Sequence, residues 1–349
     1  MKAAIFKGKG KIVIEERPIP TIKESTDAVV RVVLACVCGS DLWFYRGISE
    51  HPEGTVGHEC IGYVEEVGME VKNIKVGDFV IVPFASSDGI CPHCKTGFPT
   101  ACEHLRFFGQ GDTEDDGTQA EYVRVPYADG TLFAVPRSNF SDDTLASLLT
   151  LSDVMGTGYH AAVSAGVKKG QTVAIIGDGA VGLCGVISTK LLGAERIIML
   201  SSTHKNRQNL AREFGANDII EVRGEQAIKK VMKLTNNVGA DAVLECVGTD
   251  ESYKTAFTVA RPGAVVGRVG VPHNVEIPPD ETFFRNVGMR GGPAPTRAYI
   301  PILLDKVLKG TINPGKVFDL KTDLDHIQEA YTAMDERRAI KVLLKVSDF

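Results

Sequence analysis

Residues 172–191 read TVAIIGDGAVGLCGVISTKL and constrain the fold more than any other stretch of the chain. An uncharged apolar run leads into Gly177, Gly179 and Gly182 in G-x-G-x-x-G spacing, and a run of helical periodicity follows from Ala180 and Val181. A strand that enters such a turn belongs in the interior of a sheet. The helix that leaves it aims unpaired backbone N–H groups and the positive end of its dipole at whatever lies over the turn. That combination predicts a cradle for the pyrophosphate of a dinucleotide.

The surrounding pattern supports a sheet. Between about residues 153 and 296, the runs TVAIIG, RIIML, DII, DAVLEC, AVVGRVG and VGMRG alternate with helical stretches near 181–192, 205–214, 225–234 and 253–260. Six strands separated by helices predict a doubly wound parallel α/β sheet. Residues 1 to about 152 instead carry short β-type runs broken by glycine and proline, which predict a mostly-β module. The tail has a helix near 298–309 and the strand-like IKVLLKV, and is expected to fold back onto that module. A length of 349 residues suits two domains with a cleft between them. The segment 86–118, rich in Gly, Cys and acidic residues, reads as functional loops.

The strand RIIML should end beside the adenosine ribose, where NAD-binding versions of this turn carry Asp or Glu. A carboxylate there repels a 2′-phosphate; two like charges at about 4 Å cost about 4 kcal/mol at an effective dielectric of about 20. This chain has Ser201 at that position, followed by Ser202, with His204, Lys205 and Arg207 close behind. Serine hydroxyls and positive charge suit a phosphate, so the sequence predicts NADP(H) over NAD(H).

Two groups of metal-ligand residue types stand out. Cys38 and His58 offer a thiolate and an imidazole, which are zinc donors; magnesium would favour oxygen. Taken singly, Cys38 reads as a small buried residue and His58 as a surface histidine. Their setting reverses that. Gly57, His58, Glu59, Gly62 and Gly68, spaced G-H-E-x2-G-x5-G, resemble the signature of zinc-containing medium-chain alcohol dehydrogenases, and the resemblance extends over essentially the whole chain. It implies a GroES-like catalytic domain (1–152, completed by 297–349), a Rossmann cofactor domain (153–296) and a catalytic zinc.

Residue by residue, the resemblance implies Cys38, His58 and Asp153 as zinc ligands, Asp153 standing where many members have Cys. Glu59 matches an acid beside the metal that joins its coordination in some members, and Asp41 a carboxylate that holds the His58 ring. Ser40 matches the hydroxyl that passes the substrate proton to the nicotinamide ribose. Thr157, Val247 and Gly270 match nicotinamide contacts, and Lys341 a basic residue on the pyrophosphate. From residue chemistry alone, Asp153 and Ser40 also read as helix caps and Lys341 as a surface lysine on an edge strand. Trp43 occupies the place where many relatives carry a proton-conducting histidine, which leaves His51 or water for that role. Trp43, Phe44 and Phe107 are candidate pocket walls. Cys91, Cys94 and Cys102, in C-x2-C-x7-C, resemble the family's structural-zinc lobe with Asp88 in place of its first cysteine. His93 or His104 are alternative fourth donors, and an empty lobe of free thiols is the alternative to both.

The expected function is zinc-dependent hydride transfer between small primary or secondary alcohols, or the matching aldehydes and ketones, and NADP(H). A polyol or amino-alcohol dehydrogenase of the same zinc family is the alternative. A non-catalytic nucleotide-binding protein and a zinc-independent quinone reductase fit less well, because the metal residues are present. A net charge of −5 and no long basic run argue against nucleic-acid and anionic-membrane partners. No apolar run reaches about 18 residues, and MKAAIFKGKG lacks a signal-peptide core. The eight cysteines then suit metal binding or burial in a reducing cytoplasm. Similar proteins form dimers or tetramers, so a homodimer or homotetramer is expected.

Overall fold

The computed structural model describes residues 1–111, 117–136 and 139–349, so part of the predicted loop segment, 112–116, lies outside the described residues. The chain divides into two compact units, Met1–Asp153 with Pro295–Phe349, and Val154–Ala294.

The first unit is organised by the strand Ala28–Val37, whose ten residues are buried except for Arg31. A valine-rich strand covered on both faces must also satisfy its backbone along both edges. Antiparallel partners do this: Cys60–Val67 along one edge, and Tyr122–Val125 followed by Lys341–Lys345 along the other. The Lys341–Lys345 strand pairs in turn, in parallel, with Phe318–Asp323. The C-terminal run is thus an interior strand of the sheet, not an edge. Gly62 permits the close pairing, since a Cβ there would stand 2.0 Å from the Arg31 carbonyl oxygen. A three-stranded sheet of Lys11–Glu16, Lys2–Gly8 and Gly54–Thr55 completes the mostly-β character.

The buried Asp27 carboxylate fastens the start of the central strand. It accepts from Arg124 Nη1 at 3.0 Å and from the backbone N–H groups of Lys23 and Glu24.

The second unit is a parallel sheet in the order Asp218–Ile220, Arg196–Leu200, Thr172–Ile176, Ala240–Glu245, Ala260–Arg268 and Gly288–Gly291. This is the doubly wound order in which the chain reverses direction across the sheet beside the first strand. The helix Ala180–Leu191 leaves the glycine turn as expected, and Gly182 is sterically required, because a Cβ there would lie 1.8 Å from the Gly177 carbonyl oxygen. The fold class therefore agrees with the sequence reading. Unanticipated elements include the strand Phe318–Asp323 and the helices Asp142–Thr150, Val154–Ser164 and Ile327–Asp335. The segment read as loops also contains a helical turn, Pro92–Lys95, and a short ladder between Ala85–Ser86 and Arg106–Phe107. Among the described residues, no helix is long and apolar enough to cross a membrane.

Replacing Asp27 by Ala strips Arg124 of that buried anion and is expected to cost about 3–5 kcal/mol, read as a lower urea midpoint. Replacing Glu65, whose pair with Arg31 is far more exposed, should cost at most about 1 kcal/mol. Equal effects would contradict the role of burial.

Candidate active site

Register explains why distant residues meet in the first unit. Ala35 of the central strand faces Cys60, so Cys38, just beyond one strand, lies near His58 and Glu59, just before the other. Val342 faces Val37, which brings Lys341 to the same end of the sheet. Asp153 closes the turn after the helix Asp142–Thr150, and the neighbouring Ser152 carbonyl accepts from Phe84 N–H at 3.0 Å.

Donor atoms of Cys38, His58, Glu59 and Asp153 all lie within 4.8 Å of one another. Asp153 Oδ2 is 3.6 Å from Cys38 Sγ and 3.5 Å from His58 Nε2, and Glu59 Oε1 is 3.9 Å from Nε2. The other ring nitrogen, His58 Nδ1, faces Asp41 Oδ1 at 3.3 Å. Asp41 is itself held, because its Oδ2 accepts from Cys38 N–H at 2.9 Å and from Gln119 Nε2 at 3.3 Å. Nδ1 is thereby committed to a carboxylate while Nε2 points into the cluster, the orientation a metal ligand needs. Burial pushes the His58 pKa down, but the charges of Asp41 and Cys38 outweigh it and hold the ring well above its ordinary value. The pocket thus favours positive charge.

Glu59 is fully buried. Lys341 Nζ donates to its Oε1 at 2.6 Å and to the Val37 carbonyl at 3.2 Å, while Glu59 Oε2 has no hydrogen-bond partner. Ser40 is exposed, and its hydroxyl makes no capping bond to the short helix Asp41–Tyr45.

A second group unites Asp88, Cys91, Cys94 and Cys102, also within 4.8 Å of one another. Three sulfur-directed N–H groups point inward: Asp88 N–H and His104 N–H at 3.3 Å from Cys102 Sγ, and Cys94 N–H at 3.5 Å from Cys91 Sγ. Asp88 Oδ1 accepts from the N–H groups of Ile90 and Cys91; burial opposes ionisation, yet these bonds bring its pKa down to about 2. His93 and His104 fall outside this four-donor group.

In the second unit, Gly177 begins the glycine turn with φ of +104° and Gly179 precedes the helix that starts at Ala180 and Val181. Val247 and Gly270 flank the same end of the sheet: a Cβ on Gly177 would touch Val247 Cγ2, and one on Gly270 would meet the Val247 backbone. Thr157 lies on the helix Val154–Ser164, whose Gly158 packs against Cys184 and Gly185.

Residues 24–137 match the alcohol dehydrogenase GroES-like domain and residues 180–309 the zinc-binding dehydrogenase family. Zinc-type alcohol dehydrogenase B of Aspergillus flavus is 38% identical over 362 residues, spanning 100% of this chain and 82% of that protein. The NADP-dependent isopropanol dehydrogenase of Clostridium beijerinckii is 32% identical over 348 residues, with 97% of each chain covered. The solved alcohol dehydrogenase TADH from Thermus sp. ATN1 superposes with a TM-score of 0.91 at 32% identity, covering 99% of this chain and 100% of that one. The chain belongs to the zinc-type alcohol dehydrogenase family. It is an oxidoreductase of the medium-chain class, and the family implies zinc, a nicotinamide cofactor and a small-molecule substrate.

Several side chains of this dehydrogenase lie elsewhere than the sequence suggested. Lys341, expected on the pyrophosphate or at a surface edge, is 1% exposed and its ammonium is spent inside the first unit on Glu59. Phe44 is mostly core, packed against Phe6 and Tyr331, with its remaining surface on a pocket that it lines together with His51 and Pro52. Phe107 is largely exposed and stacks on Phe84. His51 faces the carbonyls of Pro52 at 2.6 Å and Gly109 at 3.0 Å with its two ring nitrogens, so both are engaged by backbone. The ribose corner, read as free of acid, contains a carboxylate after all: Asp178 receives the hydroxyls of both Ser201 and Ser202. Lys205 pairs with Glu221 at 2.9 Å, and Arg207 is buried against the Asp178 carbonyl, while His204 stands half-buried at the start of the helix Lys205–Phe214. Asp178 is not apparent from the sequence as a partner of Ser201 and Ser202 because it precedes them by more than twenty residues, in the glycine turn.

Replacing Lys341 by Met leaves the Glu59 carboxylate buried without its cation and is expected to destabilise the first unit by about 3–5 kcal/mol, measured as a depressed melting temperature. An unchanged melting curve would show that Glu59 does not depend on Lys341.

Proposed function

We propose that the chain is a zinc-dependent dehydrogenase interconverting small primary or secondary alcohols with their aldehydes or ketones. The observation that carries this is the buried cluster of Cys38, His58, Glu59 and Asp153, with a carboxylate behind the histidine and an unpartnered buried oxygen on Glu59. A thiolate, an imidazole nitrogen and a carboxylate form a donor set suited to zinc, and an orphaned acceptor oxygen beside them is costly unless a cation joins it. Cys38, His58 and Asp153 would hold the ion, with Glu59 at hand as a further oxygen. The first unit, on this reading, carries the catalytic residues and the second the cofactor.

When bound, zinc would supply Lewis acidity toward an alcohol or carbonyl oxygen, and a nicotinamide dinucleotide would give or take the hydride. The protein's own residues orient and move protons. Asp41 fixes the His58 ring through Nδ1. Ser40, exposed and unburdened by a cap bond, is the hydroxyl available to accept the alcohol proton and hand it on. Lys341 holds Glu59 in place and opposes the upward push of burial on its pKa. In the cofactor unit, the turn from Gly177 to Gly182 presents backbone N–H groups to the pyrophosphate, and Thr157, Val247 and Gly270 are the proposed nicotinamide contacts.

Asp88, Cys91, Cys94 and Cys102 are proposed as a second, structural zinc site, supported by backbone N–H groups aimed at the sulfurs as they are at thiolates. The eight cysteines are free, which suits a reducing compartment such as the cytoplasm. A homodimer or homotetramer remains the proposed assembly, to be measured by light scattering. For the cofactor, the serines that end the second strand, His204 and the NADP-dependent Clostridium relative support NADP(H), whereas Asp178 opposes a 2′-phosphate. Comparing kcat/KM with the two cofactors decides between them.

Replacing Cys38 by Ser is expected to abolish turnover across a panel of alcohols, polyols and carbonyls while dinucleotide binding changes by less than about threefold. Retained turnover would exclude this centre. Elemental analysis of the purified protein should return about two zincs per chain, falling to about one in Cys91→Ser together with a lower melting temperature. A wild-type ratio near one would remove the second site.

A further inference from the structure

The glycine turn contains one residue whose chemistry the pyrophosphate cradle does not use, Asp178. The parallel register sets Ile176 opposite Leu200, so the chain leaves two adjacent strands side by side, as Gly177–Asp178 on one and Ser201–Ser202 on the other. The Asp178 side chain crosses that gap. Its Oδ2 accepts from Ser201 Oγ at 2.8 Å, from Ser202 N–H at 2.8 Å and from the Ser202 hydroxyl. From the helix Lys205–Phe214, Arg207 Nη1 donates to the Asp178 backbone carbonyl at 3.1 Å and stands 4.0 Å from Oδ1. Gln208 Nε2 holds the Ser202 carbonyl at 2.7 Å.

We infer that Asp178 is the specificity-determining residue for the adenosine ribose, and that it selects NAD(H) by excluding a 2′-phosphate. The inference rests on the reading of this turn as a dinucleotide site. An acid at the end of the second strand is the usual means of reading an unphosphorylated ribose. Here the strand ends in serine, and the charge arrives at the same place from the turn. Asp178, Ser201, Ser202 and Arg207 are each at least nine-tenths buried, so this is a built corner and not a chance surface contact.

The donors that made the sequence look suited to a phosphate are the ones committed to Asp178. Both serine hydroxyls point at its carboxylate, and Arg207 is fixed against it. A 2′-phosphate would have to draw these donors away from a buried anion and sit beside that anion, two penalties of the same sign. Arg207 offsets part of the charge but is held in place by the group it offsets. A ribose hydroxyl meets neither penalty, because it can donate toward an acceptor-rich corner. Burial favours the neutral form of Asp178, but the bonds from Ser202 and Ser201 outweigh it and lower the pKa below the usual carboxylate value, so the charge is present at neutral pH. Lys205 does not reverse the balance, since it lies out in solvent and pairs with Glu221.

The test is equilibrium binding of NADH and of NADPH to the purified, zinc-loaded enzyme in phosphate-free buffer, followed by nicotinamide fluorescence. The wild type is expected to bind NADH at least about tenfold more tightly than NADPH. Asp178→Asn and Asp178→Ser should each narrow that ratio by about tenfold or more, chiefly by strengthening NADPH. Circular dichroism checks that the variants fold, and the wild-type ratio is decisive by itself if they do not. A wild type that prefers NADPH, or folded variants that weaken both dinucleotides equally, overturns the inference; the second result would mark Asp178 as structural only. If neither dinucleotide binds the wild type, the dehydrogenase reading fails and this inference falls with it.

Discussion

The strand Lys341–Lys345 is the constraint on which the first unit depends. The central strand Ala28–Val37 is buried along almost its whole length, and a buried strand must pair its backbone on both edges. One edge is served by Cys60–Val67; the other is shared, by Tyr122–Val125 along its first half and by the C-terminal strand along Leu34–Val37, the half that leads to the site. The bond from Lys341 Nζ to the Val37 carbonyl spans 304 residues of sequence. The second unit, by contrast, is contiguous from 154 to 294 and closes on its own contacts. Long-range closure of this kind is entropically demanding, so the first unit needs strong terms at the seam. The Lys341–Glu59 pair supplies one of them at the point where Cys38, His58 and Asp153 gather.

That pair also shapes the electrostatics of the cluster. Two carboxylates, a thiol and an imidazole within 4.8 Å form a set that cannot all be charged in a buried site without positive compensation. Lys341 compensates Glu59 from one side through Oε1, which leaves Oε2 turned away from the ammonium and without a partner. Asp41 stays apart as the acceptor for His58 Nδ1, so its charge orients the ring instead of adding to the ligand set. The second cluster meets the same problem nearer the surface, where backbone N–H groups replace a buried cation: two on Asp88, two on Cys102 and one on Cys91.

What the sequence disclosed, and what it hid, follows from how far each signal travels. Cys38, Asp41, His58 and Glu59 were legible because they flank two strands within a tightly spaced run, and antiparallel pairing brings them together. The parallel sheet was legible because its strands are apolar runs of regular spacing. The strand Phe318–Asp323 was not, since FDLKTD places charged residues on its exposed positions and reads as a loop. Lys341 revealed its charge but not its direction; on an interior strand a lysine must find a buried anion, and only the register shows that Glu59 is there. Phe44 was read by size alone, while the structure uses that size for core packing.

Asp178 was hidden by a rule that searches along the chain for a group that matters in space. The rule assigns the ribose-reading acid to the end of the second strand because that strand lies beside the first, but the same adjacency lets the turn reach the strand's end. Once the acid sits in the turn, serines at the strand end become its hydrogen-bond donors, and on the inference drawn above a sequence that looks open to phosphate is closed to it. The consequence is mechanical as well as electrostatic. Asp178 lies between Gly177, which has positive φ, and Gly179, which precedes the helix, so its carboxylate is positioned by the same backbone that forms the proposed pyrophosphate cradle. On this inference, the residue that selects the ribose belongs to the same turn that forms the proposed pyrophosphate cradle. It acts through its side chain while the cradle acts through backbone N–H groups, so selection can be altered without unmaking the cradle.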